Sequence, residues 1–117
     1  MKKTAKKTTK RLTAAEKIKR LRSLLVKACD KQVKAGKGIA SGTFATNDGD
    51  CCPIQCAVGP NVNDGYAEAL SKKLRFKFDE EDMWLFIDGF DGHAGNHSDD
   101  PVFKLGRALR AKYKEAI

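Results

Sequence analysis

Between Thr13 and Ala35 the apolar positions Ala14, Ile18, Leu21, Leu25, Ala28, Cys29 and Val33 recur with a 3.6-residue period, which predicts an amphipathic helix. Its start is marked by Thr13-Ala14-Ala15-Glu16, a capping box in which the threonine oxygen takes an orphan amide and the glutamate reaches back to the cap. Gly36 is placed to close the other end. At the helical rotation of about 100° per residue, Lys19, Arg20, Lys27, Lys31 and Lys34 fall opposite the apolar stripe. Arg22 projects near that stripe and has to extend to water or meet an acid.

The pattern then changes. Residues 38–45 are rich in glycine and β-branched side chains and predict a short strand, followed by turn chemistry at Asn47-Asp48-Gly49-Asp50. Pro53 suits the first position of a short helical turn, with Cys52 as its cap and Cys56 one turn later, before Gly59-Pro60 ends it. Tyr66, Ala67, Leu70 and Leu74 share one side of a helix expected over 64–73, and Leu74-Arg75-Phe76-Lys77-Phe78 alternates as a strand does. Asp79 can cap a helix from about Glu80 to Asp88, where Met83, Trp84, Phe86 and Ile87, with Phe90 just beyond, form the densest apolar cluster. Residues 89–99, with Gly89, Gly92 and Gly95, read as a loop. Asp100-Pro101 starts a terminal helix whose inward face is Val102, Phe103, Leu105, Leu109 and Tyr113. The expected fold is α+β and helix-dominated, with three to five helices and a small β element.

The first residues stand outside this pattern. Positions 2–11 contain only Lys, Arg, Thr and Ala, with Lys-Lys-Thr at 2–4 and again at 6–8. Such a segment has nothing to bury and repels itself, so the expected organisation is a disordered Lys-rich arm over 1–12 and one compact domain over 13–117. The apolar stretch that a secretory signal needs does not follow the charged start, and no run approaches the ~18 apolar residues of a membrane span. A cytoplasmic protein with no membrane partner is expected.

Charge sharpens this picture. Residues 1–27 hold 11 Lys/Arg against the single acid Glu16, whereas residues 28–117 hold 12 against 14 Asp/Glu, so the overall +8 arises at one end. The stretch 79–100 forms an opposite pole, with eight acids and no Lys or Arg. Lys2, Lys3, Lys6, Lys7, Lys10 and Arg11, continued by Lys19, Arg20, Lys27, Lys31 and Lys34, suit a phosphate backbone. The arm has no aromatic residue on which bases would stack. Its alternatives are a solubilising tail, or one that folds back on the acidic pole of its own or a neighbouring molecule.

The remaining chemistry is sparser. In a reducing compartment Cys29, Cys51, Cys52 and Cys56 are expected as thiols. A Cys52 cap would place its sulfur at the positive end of a helix, where thiol pKa values fall, and Cys56 could resolve an oxidised Cys52. Against this stands the reading of Cys29, Cys52 and Cys56 as small apolar core residues. His93 and His97 have zinc-module spacing, and with Cys51, Cys52 and Cys56 they offer a Cys₂His₂ or Cys₃His set, although 36 residues separate the pairs. A solvated loop is the plainer account of both histidines. Calcium loops counted from Asp88 or Asp91 place the wrong residues at the ligand positions. Glycine-rich phosphate loops and Gly-x-Ser-x-Gly elbows are absent from the sequence.

The reading that follows is a small non-enzymatic binding protein that engages nucleic acid or another polyanion by charge, with no cofactor. The alternatives are a thiol or zinc protein centred on Cys51, Cys52 and Cys56, and a protein-interaction module, or self-association, using the acidic segment 79–100.

Overall fold

The computed structural model describes residues 12–42, 45–46, 49–59, 65–92 and 99–117. The arm residues 2–11, the turn residues Asn47 and Asp48, and both histidines lie outside the described residues. Five helices follow in order among the described ones: α1 (Ala14–Lys34), α2 (Pro53–Val58), α3 (Tyr66–Leu74), α4 (Glu80–Phe90) and α5 (Pro101–Lys112), then a 3₁₀ turn at Lys114–Ala116. No helix among them is long and apolar enough to cross a membrane.

Three of the helix starts rest on the capping chemistry read from the sequence. The Glu16 amide donates to Thr13 Oγ1 (3.1 Å) and the Thr13 amide to Glu16 Oε1 (2.8 Å), which completes the capping box of α1. Asp79 accepts from the Asp82 amide at 2.9 Å, and Asp100 from the Val102 amide at 2.8 Å with Pro101 in the first helical position.

The core is built where the apolar stripes meet. Leu21, Leu25 and Cys29 of α1 pack with Ile54 of α2, Leu70 and Leu74 of α3, Phe86 and Phe90 of α4 and Leu109 of α5. Each large aliphatic or aromatic side chain withdrawn from water in this way contributes about 1.5–3 kcal/mol. The stripe of α1 is buried only along its middle, because Ala14 and Val33 lie exposed near its ends. Trp84, part of the apolar cluster by sequence, is half exposed.

α4 and α5 form the closest pair, crossing at glycines. A Cβ on Gly106 would collide with the Phe86 carbonyl oxygen, and one on Gly89 with the Phe103 carbonyl oxygen. Arg110, near the end of α5, donates to the Phe90 carbonyl at the end of α4 (2.7 Å), while Asp100 at the start of α5 lies close enough to perturb Asp82. The two helices therefore run in the same sense.

The small β element of the expected fold is not formed: the described residues contain no strand or sheet, and the fold is mostly helical. The described residues of 38–51 contribute isolated bridges alone, Ile39 to Cys51 and Ala45 to Cys51. Gly36, Gly42 and Gly49 adopt φ of 81°, 84° and 92° and turn the chain before a ladder can develop. The Ala40 amide donates to the Cys51 carbonyl (2.9 Å), but the donors around it go elsewhere, that of Ile39 to the Ala116 carbonyl (2.8 Å), that of Gly38 to Asp50 (2.9 Å) and that of Gly42 to Asp91 (2.9 Å). The alternating 74–78 segment is broken by Arg75 at φ 67°. Its Phe78 amide donates to the Ser71 hydroxyl at 2.8 Å, so a side chain takes the place of a partner strand.

Candidate polyanion-binding face and the cysteine cluster

Helical rotation brings Arg20, Lys27, Lys31 and Lys34 within about 60° of one another, on the ridge of α1 opposite Leu21, Leu25 and Cys29. All four are exposed, as is Lys19, which falls on the flank shared with Asp30. The five cations read from the sequence are therefore at the surface, though not as one uniform face. Arg20 also braces a neighbouring helix, since its Nη1 donates to the Leu74 carbonyl at 3.1 Å and covers an orphan acceptor at the end of α3. Arg22, placed near the apolar stripe by its spacing, is exposed and lies near Tyr113.

The contact between α1 and the end of α3 also gathers cations that the sequence did not assign. Lys17 Nζ sits over the Phe76 ring, 5.7 Å from its centroid, and Arg75 lies in the chain between that ring and the carbonyl held by Arg20. The available signal was a basic residue directly after Leu74, the last apolar position of a helix.

The acidic pole is partly structural. Asp79 and Asp100 are helix caps, and Asp91 accepts from the Ser41 hydroxyl (3.1 Å) and the Gly42 amide (2.9 Å). The Asp82 carboxyl is held above the usual carboxylate range by its burial and by the neighbouring Asp79, Asp100 and Glu81 charges.

At the cysteines the structure departs from the sequence reading. Cys51 and Cys56 form a disulfide, with Cα atoms 5.8 Å apart, while Cys29 and Cys52 are free and buried. The sequence predicts four thiols, with Cys56 available to resolve an oxidised Cys52; the structure corrects the first expectation and removes the second, because the Cys56 sulfur is bonded to Cys51. Cys52 does cap α2, but its side chain turns into the core and makes no capping bond. Its thiol is pushed up to about 11 by burial, with Asp91 adding to the effect, and the Gln55 and Ile54 amides do not offset this. The expected lowering is thus reversed, because desolvation outweighs the end of a six-residue helix. Cys29 is pushed up to about 12 by burial, helped by Cys52 and Asp30. The protonated Cys29 and Cys52 behave as small apolar core groups, as the plainer sequence reading has it, whereas Cys56, which that reading included, is bridged to Cys51.

Cys52 borders a half-open cavity of about 250 Å³ lined by Gly42, Pro53, Phe86, Ile87, Phe90 and Asp91. A buried thiol kept protonated, with a carboxylate rather than a cation beside it, is a poor nucleophile. Of the candidate zinc ligands, Cys56 has its sulfur in the disulfide and His93 and His97 lie outside the described residues. Among the described residues no group of three or more His, Cys, Asp or Glu is arranged to hold a metal ion.

The bridge closes a loop with a sequence separation of 5. Loop-closure entropy for so short a ring corresponds to about 2 kcal/mol. Reduction, or Cys56→Ser, is expected to lower the urea midpoint accordingly; a midpoint unmoved by reductant would show that the bridge contributes nothing.

Compared with known proteins, the chain matches no family model, no curated sequence and no solved structure, so its function is argued from its own residues.

Proposed function

We propose that this chain is a non-enzymatic binding protein that engages nucleic acid through its phosphates, using the Lys-rich segment 2–11 together with the cationic ridge of α1. The observation that carries the reading is the exposed ridge Arg20, Lys27, Lys31 and Lys34, which extends into the folded body the charge concentrated at Lys2, Lys3, Lys6, Lys7, Lys10 and Arg11. Cations on a helix give a fixed array, and the six cations on the preceding segment add charge for further phosphate contacts. Binding of this kind is driven by counterion release and is weakly selective for sequence.

The test is the affinity for a 20-base-pair duplex of arbitrary sequence, followed by fluorescence anisotropy across a salt series. If all six cations of segment 2–11 neutralise phosphates, its removal makes the slope of log K against log salt shallower by about 5. An unchanged slope in the shortened protein removes the segment from the account. A wild-type protein that shows no salt-dependent affinity for the duplex overturns the reading.

A further inference from the structure

We infer that the polyanion surface turns off α1 at Arg20 and continues on to the end of α3, where Arg75 is a phosphate-contacting residue for double-stranded nucleic acid. The inference rests on the reading above and deepens it. Two contacts fix the corner. Arg20 Nη1 meets the Leu74 carbonyl at 3.1 Å and Lys17 Nζ lies 5.7 Å from the Phe76 centroid, so the residue between Leu74 and Phe76 is held beside both cations. That residue is Arg75, and it is exposed.

Its backbone is the second observation. Arg75 caps α3 at φ 67°, ψ 29°, the left-handed conformation in which glycine is the least strained residue and asparagine the next. Among the described residues it is the one non-glycine with positive φ. A long, exposed cation at a site where glycine would serve the fold better points to work done by the side chain. The exposed Lys73 adds charge on the preceding turn. By contrast, Lys72 and Lys77 line a groove with Glu68, Asp79 and Glu80 and belong to a mixed-charge surface.

The chemistry favours a duplex backbone over an unpaired strand. Phe76, the aromatic ring at the corner, is partly buried against the core, has Lys17 over its ring and otherwise lines the mixed-charge groove, so a base stacking on it meets either the lysine or the carboxylates of Glu68, Asp79 and Glu80.

Arg75→Gly separates side chain from backbone. The variant is expected to melt at or above the wild-type temperature, because its left-handed residue is relieved. Its affinity for the 20-base-pair duplex at 0.1 M salt should fall about fivefold, with a salt slope shallower by about 0.9. Lys104→Ala removes the same charge from an exposed position on α5 and should change affinity less than twofold. Arg75→Asn, which also tolerates the conformation, repeats the measurement should the glycine variant fold poorly. If Arg75→Gly and Arg75→Asn bind as Lys104→Ala does, while removal of segment 2–11 still flattens the slope, the role of Arg75 is overturned and the wider reading stands. Absence of duplex binding by the wild-type protein overturns both. Tighter binding of the corresponding single strand than of the duplex overturns the assignment to a duplex backbone.

Discussion

Gly106→Ala is expected to lower the stability of this protein by about 1–3 kcal/mol, the range in which forced overpacking falls. Helix propensity alone predicts the opposite sign, since alanine in the middle of an exposed helix is worth about 1 kcal/mol over glycine. Packing decides the outcome. A Cβ at Gly106 would overlap the Phe86 carbonyl oxygen and lie 2.8 Å from the Phe90 nitrogen, and these are backbone atoms of α4 that cannot swing aside as a side-chain tip can. Gly89 has the same relation to α5, with the Phe103 carbonyl oxygen in the way and the Arg107 nitrogen at 3.2 Å. Either substitution pushes apart the crossing at which Phe86, Phe90 and Phe103 are buried. Urea unfolding should show a lower midpoint with little change in the denaturant dependence. The double variant should be less destabilised than the two losses added together, because helices already separated by one Cβ leave room for the second. A Gly106→Ala protein as stable as the wild type would refute the close crossing.

That crossing is not visible in the chain. Gly89 reads as the start of a loop because glycine is a poor helix former, and nothing local distinguishes a helix-ending glycine from one that admits a neighbouring backbone. Helix starts are legible for the contrary reason: Thr13 with Glu16, Asp79, and Asp100 with Pro101 act within one turn, so the necessary information lies in a few consecutive residues. Among the described residues the strands predicted at 38–45 and 74–78 do not form, because alternation and β-branching describe side chains, whereas a strand also needs a partner for its backbone. Here those donors are met by Ala116, Asp50, Asp91 and Ser71. The basic ridge can be read from helical spacing, while its turn on to α3 depends on the contact between Arg20 and Leu74, 54 residues apart. For the cysteines, spacing alone places Cys52 correctly as the residue before α2. What the sequence lacks is the depth of its burial, which sets the sign of the thiol shift.

That sign gives the protein an alkaline limit to its stability. The folded-state pKa values of Cys52 and Cys29 are raised from 9.0 to about 11 and about 12, chiefly by burial. Raised values mean that the folded state holds both protons after the unfolded chain has released them. The stabilisation is therefore complete below about pH 9 and is lost as the pH climbs toward the folded values. Each thiol contributes a slope of about 1.4 kcal/mol per pH unit inside its window, so by pH 11 the two together remove roughly 5 kcal/mol. That is comparable to the whole stability of many small domains. Tyr113 steepens the fall from about pH 10. Its phenol is pushed up by burial and by donating to Asp30 at 2.6 Å, with the Val26 carbonyl 3.1 Å away. Urea midpoints measured from pH 7 to 11.5 should stay level to about pH 9 and then drop steeply. Tyr113→Phe, which loses about 1–2 kcal/mol at neutral pH with its hydrogen bonds, should leave the drop between pH 9 and 10 unchanged and soften it above. In Cys29→Ala the earlier part of the drop should be about half as steep, whatever the lower starting stability. A midpoint that stays level through pH 11 would mean that both sulfurs are reached by water, and the core drawn around α1 and α2 would then be wrong.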